Sequence, residues 1–104
     1  MTQGTAIALD RFQAQIIDFC ERHHIRKLSV FGSVLRSDFT IESDIDFLVE
    51  FDSDHVPGLI TLAGMELELG ELLQWKVDLR TVNDLSPYFR QKVLDSAVVQ
   101  YVRH

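Results

Sequence analysis

Three aspartates and one small turn carry the residue types that could do chemistry. In residues 31–46, FGSVLRSDFTIESDID, a Gly32-Ser33 pair ends a short apolar run. After a spacer of ten residues come Asp44 and Asp46, separated by one residue. Glycine at the end of a strand lets the backbone turn and lets a ligand approach where a side chain would block it. The Ser33 hydroxyl can donate to a phosphate oxygen. It can equally cap a short helix at 34–36, and the two roles are compatible, because a helix N-terminus itself favours anions. Asp-x-Asp in a strand sets both carboxylates on one face, with Leu48 and Glu50 further along it and Ile45, Phe47 and Val49 turned into the core. Such a pair suits Mg²⁺, which takes hard oxygen ligands and commonly combines one or two carboxylates with substrate phosphates. Asp78 lies between Val77 and Leu79 in KVDLRT. If that strand lies beside the 45–51 strand, Asp78 joins the pair, and three carboxylates suit a two-metal site. Arg36 can contact a triphosphate. Taken singly, each acid reads as a solvated strand face and Arg36 as a surface arginine. Taken together with Gly32-Ser33, they point to a site for a nucleoside triphosphate and its metal.

The elements that must position these residues follow from periodicity. Leu9, Phe12, Ile16, Phe19 and Cys20 recur at helical spacing and predict an amphipathic helix over 5–24. Residues 27–31 form a β-prone run stopped by Gly32, and a second strand is expected over 45–51. Pro57 and Gly58 punctuate a break at 52–58. Leu59, Leu62, Met65, Leu69, Leu72 and Leu73 predict one apolar face of a helix over 59–74. Residues 76–81 read as a third strand. Ser86 and Pro87 start a last helix as N-cap and first helical residue. For the VVQYV ending at 98–102, strand and helix continuation both fit. Alternating helices and strands argue for an α/β sheet covered by helices.

The 104 residues are 46% hydrophobic and 25% charged, with a formal net charge of −6, as expected of a single domain (residues 1–104) large enough for a core. Acidity disfavours direct nucleic-acid binding, which draws its affinity from phosphate contacts. It does not exclude a nucleotide, because bound Mg²⁺ changes the local sign. Cys20 is the single cysteine, expected to be a buried small hydrophobe. The N-terminus lacks the pattern of a signal peptide, and no run is long enough for a membrane span. The expectation is a cytoplasmic protein without a membrane contact. His23 and His24 read as the polar end of the first helix and His55 as a loop residue. The four histidines, His104 included, show no ligand spacing on a helix face.

The motif FGSVLRSDFTIESDIDFLVEF resembles the signature of the minimal nucleotidyltransferases of the polymerase-β superfamily: Gly-Ser, a spacer, Asp-x-Asp, and a third acid on a later strand. Residues 54–94 are also similar to the short MNT-type antitoxins. The resemblance implies a polymerase-β-like nucleotidyltransferase fold, a small mixed sheet flanked by helices. It implies that an acceptor hydroxyl attacks the α-phosphate of ATP and pyrophosphate leaves. Asp44 and Asp46 would ligate two Mg²⁺ ions. Asp78 would ligate the catalytic ion and help deprotonate the acceptor. Gly32 and Ser33 would hold the β- and γ-phosphates. Many relatives carry glycine after the arginine, where this chain has Ser37.

Only 26 residues follow Asp78, too few for a second, acceptor-binding domain. The acceptor is therefore expected to be small or to arrive on another protein. The antitoxin resemblance implies the latter: a HEPN toxin whose tyrosine hydroxyl receives AMP and which is thereby neutralised. Trp75, Tyr88, Phe89 and Tyr101 are candidate interface residues, or packing residues. Two further readings are an antitoxin that acts by occlusion without catalysis, and a nucleotidyltransferase for small molecules.

Overall fold

The computed structural model describes residues 9–37 and 39–103. The chain runs through a 3-10 segment Leu9–Phe12, α1 (Gln13–Arg22), β1 (Ile25–Phe31), a 3-10 turn Gly32–Leu35 and β2 (Ile45–Phe51). Then come a short 3-10 segment Ser53–His55, α2 (Leu59–Leu73), β3 (Val77–Arg80), a 3-10 turn Val82–Asp84, α3 (Pro87–Ser96) and β4 (Val98–Val102). The strands form one mixed sheet in the order β3-β2-β1-β4. β2 runs antiparallel to β1 and parallel to β3, and β4 runs antiparallel to β1. This is the small mixed sheet flanked by helices that the resemblance implies.

One face of the sheet is apolar because alternate residues of each strand are. Leu28 and Val30 of β1, Ile45, Phe47 and Val49 of β2, and Val77 and Leu79 of β3 are all buried. Against them pack Ile16, Phe19 and Cys20 from α1 and Met65, Leu69 and Leu73 from α2. Burial pushes the Cys20 thiol up to about 12, with Glu21 adding to the shift, so it is an inert packing group. Leu48, on the opposite face with Asp46, is also buried, so that face is covered beyond the acids.

In two places the structure differs from the sequence expectations, and in two more it decides between readings the sequence left open. The first helix is 3-10 over Leu9–Phe12 before it becomes α, and its expected start at 5–8 lies outside the described residues. Leu59 is 83% exposed. It sits in the first turn of α2, ahead of the buried stripe of Met65, Leu69 and Leu73. The 98–102 segment is a strand, because the exposed edge of β1 offers it a hydrogen-bonding partner. Trp75 and Tyr101 pack against the core, leaving only Tyr88 and Phe89 of the aromatic candidates exposed, at 92% and 61%.

Candidate active site

The site is built at one end of the sheet, where β1 ends and β2 and β3 begin. Phe31 pairs with Asp46 across the antiparallel β1–β2 ladder. Asp46 pairs with Asp78 across the parallel β2–β3 ladder. Residues opposite one another share a face, so the Asp46 and Asp78 side chains stand side by side. Asp44 sits one residue before β2. Its segment is held from two sides: Ile45 N–H donates to Lys76 O at 3.0 Å, and Trp75 Nε1–H donates to Ser43 O at 2.7 Å. The indole also stacks on Phe39 at 5.5 Å. The tryptophan thus fixes the entrance to β2.

Gly32 follows β1 with φ +75, a conformation open to glycine and costly for other residues. The space is equally demanding: a Cβ there would stand 3.4 Å from Asp46 Cγ and overlap Oδ2. The turn therefore lies directly on the carboxylate. Val34 is fully buried and anchors the turn from below. The N-cap of this turn is Phe31, not Ser33. Ser33 instead bridges the turn and the acids: its hydroxyl donates to Asp44 O at 3.3 Å, and its backbone amide pulls the Asp46 carboxyl down.

Clustering has an electrostatic cost. Burial first, then the charges of Asp78 and Asp44, hold the Asp46 carboxyl above its usual range, against the opposing pull of Arg80 and the Ser33 amide. Arg80 grips Asp78 through two hydrogen bonds of 3.0 Å. The three carboxylates are not closed onto one point. The converged donor atoms among the described residues, within 4.8 Å of one another, belong to His24, Asp52 and His55 at the other end of β2.

Beside the turn, a cleft of about 480 Å³ is lined by Phe31, Gly32, Leu35, Arg36, Lys92, Val93 and Ser96. Arg36 is exposed and lines the cleft. Sequence reasoning missed Arg80, Lys92 and the His24–Asp52–His55 group; the last two depend on non-local packing. Arg80 alone had a local signal, two residues from Asp78 on the same strand face. A larger hollow, about 530 Å³, runs along α2 and the edge of β3 past Glu66, Gly70, Trp75 and Val77; it contains none of the three aspartates.

The nucleotidyltransferase domain family matches residues 14–99. A candidate protein adenylyltransferase of Methanocaldococcus jannaschii, MJ0435, is 33% identical over 90 residues, covering 86% of this chain and 95% of that one. Protein adenylyltransferase MntA of Thermococcus cleftensis is 35% identical over 78 residues, covering 75% of this chain and 77% of that one. Among solved structures, the complex of a tri-AMPylated Shewanella oneidensis HEPN toxin with its MNT antitoxin has a chain with the same fold. That chain matches at a TM-score of 0.68 and 19% identity, over 92% of this chain and 74% of its own. On the extent of the family match and of the identity to its relatives, this chain belongs to the nucleotidyltransferase domain family.

Proposed function

We propose that the protein is an antitoxin that transfers AMP from ATP to a tyrosine hydroxyl of a partner HEPN toxin. The observation that carries this reading is the Asp46–Asp78 register pair with the Gly32 turn seated against it. The adenylyltransferase names of the relatives and the AMPylated toxin in the fold neighbour support the choice of acceptor. The donor set fits Mg²⁺: three carboxylates supply hard oxygen ligands, and their mutual repulsion at Asp46 is what a divalent cation relieves. Asp44 and Asp46 would hold two ions and Asp78 one of them. When bound, such ions activate the attacking hydroxyl and neutralise charge on the phosphates.

The chain's own groups supply the rest. Gly32 would let the triphosphate lie close to the turn, where the Ser33 hydroxyl would donate to its β- and γ-oxygens. Arg36 and Lys92 place positive charge along the cleft. Trp75 holds the Asp44 segment rigid, which matters because productive geometry is lost over about 1 Å. Asp78, once released by Arg80, takes the proton of the acceptor hydroxyl. The acceptor oxygen then bonds to the α-phosphorus, the bond to the β-phosphate oxygen breaks, and pyrophosphate leaves. No described helix is long and apolar enough to cross a membrane, and the ATP supply fits a cytoplasmic location.

Incubation with Mg²⁺, labelled ATP and the co-expressed HEPN partner should label the partner, with a mass shift of one AMP or a small multiple. Asp44→Ala with Asp46→Ala should abolish it. Equal labelling by that variant would sink the proposal, and tight binding with no labelling by wild type would favour occlusion instead.

A further inference from the structure

At the end of β2 remote from the three aspartates, the fold assembles a second set of ligating side chains. His24 makes the turn between α1 and β1 with φ 58, which is uncommon for a residue other than glycine. One backbone hydrogen bond holds this turn to the segment after β2, with Asp52 N–H donating to His24 O at 3.1 Å; a second, from His55 N–H to Asp52 O at 2.9 Å, folds that segment back so that His55 lies near the turn. The rings of His24 and His55 are thereby brought face to face, with centroids 3.8 Å apart and planes 12° from parallel. A ring nitrogen of each and a carboxylate oxygen of Asp52 lie within 4.8 Å of one another.

We infer that His24, Asp52 and His55 form a binding site for a zinc-class divalent transition metal, separate from the nucleotide site. Two imidazoles and one carboxylate are donors that Zn²⁺ takes in tetrahedral sites with water in the fourth position, and imidazole also suits Co²⁺ and Ni²⁺. Mg²⁺ prefers an all-oxygen shell, so the two sites differ in metal preference. Ligands at about 2.0–2.1 Å from a tetrahedral ion stand roughly 3.3 Å apart, so the donor atoms must close by no more than about 1.5 Å. Both histidines are exposed, and their rings can fan out of the stack without disturbing the core.

Asp52 is also gripped by Arg103 through two hydrogen bonds, one of 2.7 Å. An ion needs only one carboxylate oxygen, and Arg103 on the other would orient the ligand, as partners of metal-bound carboxylates commonly do. Six residues of strand separate Asp52 from Asp46, about 20 Å. The ion therefore touches no reacting group. It clips the α1–β1 turn to the end of β2 and raises stability by mass action.

The test uses full-length, tag-free protein stripped of metal and freed of chelator. Zn²⁺ affinity is measured by competition with a chromophoric chelator, and Co²⁺ substitution by visible absorption. One Zn²⁺ per chain, strong visible bands of tetrahedral Co²⁺ and a higher melting temperature with Zn²⁺ are expected. His55→Ala should weaken Zn²⁺ at least about tenfold and leave Mg²⁺-supported AMP transfer unchanged. His24→Asn should weaken it likewise while tolerating the left-handed turn. Absence of binding, affinity unchanged in both histidine variants, or loss of the ion with Asp46→Asn instead would each overturn the assignment.

Discussion

Replacing Gly32 with alanine tests the central geometry, because two separate costs meet at one atom. The backbone φ of +75 is disfavoured for a residue with a Cβ by about 1–2 kcal/mol. In a domain of this size, that lowers the melting temperature by roughly 5–15 °C. The new methyl would also overlap Asp46 Oδ2 and stand 3.4 Å from Cγ. Backbone cannot yield as readily as a side chain, so the carboxylate must move by about 1 Å, and a displacement of that size costs on the order of a hundredfold in rate. AMP transfer to the partner, followed by mass, should therefore fall about a hundredfold at a temperature where circular dichroism shows the variant folded. Gly64→Ala is the matched control. Its Cβ meets open space in the middle of α2, so it should gain about 0.5–1 kcal/mol of stability with full activity. A folded Gly32→Ala protein transferring AMP at the wild-type rate would refute the claim that the turn and Asp46 are mutually fitted.

Three further outcomes follow from the same site. Asp46 has a raised pKa in the fold, so the native state holds its proton more tightly than the unfolded state. The stability this contributes is present below the ordinary carboxylate pKa and is lost as pH rises through the raised value. In chelator, Asp46→Asn should thus be more stable than wild type at neutral pH, with the difference vanishing in acid, and it should be inactive; equal melting temperatures across pH 3–8 would contradict this. Trp75→Phe removes the 2.7 Å bond to Ser43 O and should cost about 1 kcal/mol in urea denaturation. It should also reduce transfer by loosening the Asp44 segment. Lys92→Ala, at the cleft, should raise the KM for ATP several-fold with little change in melting temperature, since Lys92 is exposed.

The local parts of this protein were written in its sequence. β2 runs from Ile45 to Phe51 as its alternation predicts, and Ser86 and Pro87 start α3 as their backbone preferences require. Gly32 turns the chain where the apolar run stops, because φ preference and strand period depend on neighbours a few residues away. The Asp44-x-Asp46 spacing was legible for the same reason, although Asp44 stands one residue before β2 begins. Only tertiary structure decided the rest. Asp78 joins Asp46 because β3 pairs parallel to β2 in that register, a choice made across 32 residues by packing of α2. Residues 98–102 became a strand because β1 had a free edge, and Trp75 turned inward because Ser43 O and Phe39 were there to receive it. Lys92 at the cleft and the meeting of His24, Asp52 and His55 have the same origin. Each joins segments that no period or propensity relates, through contacts that exist only after the sheet has closed.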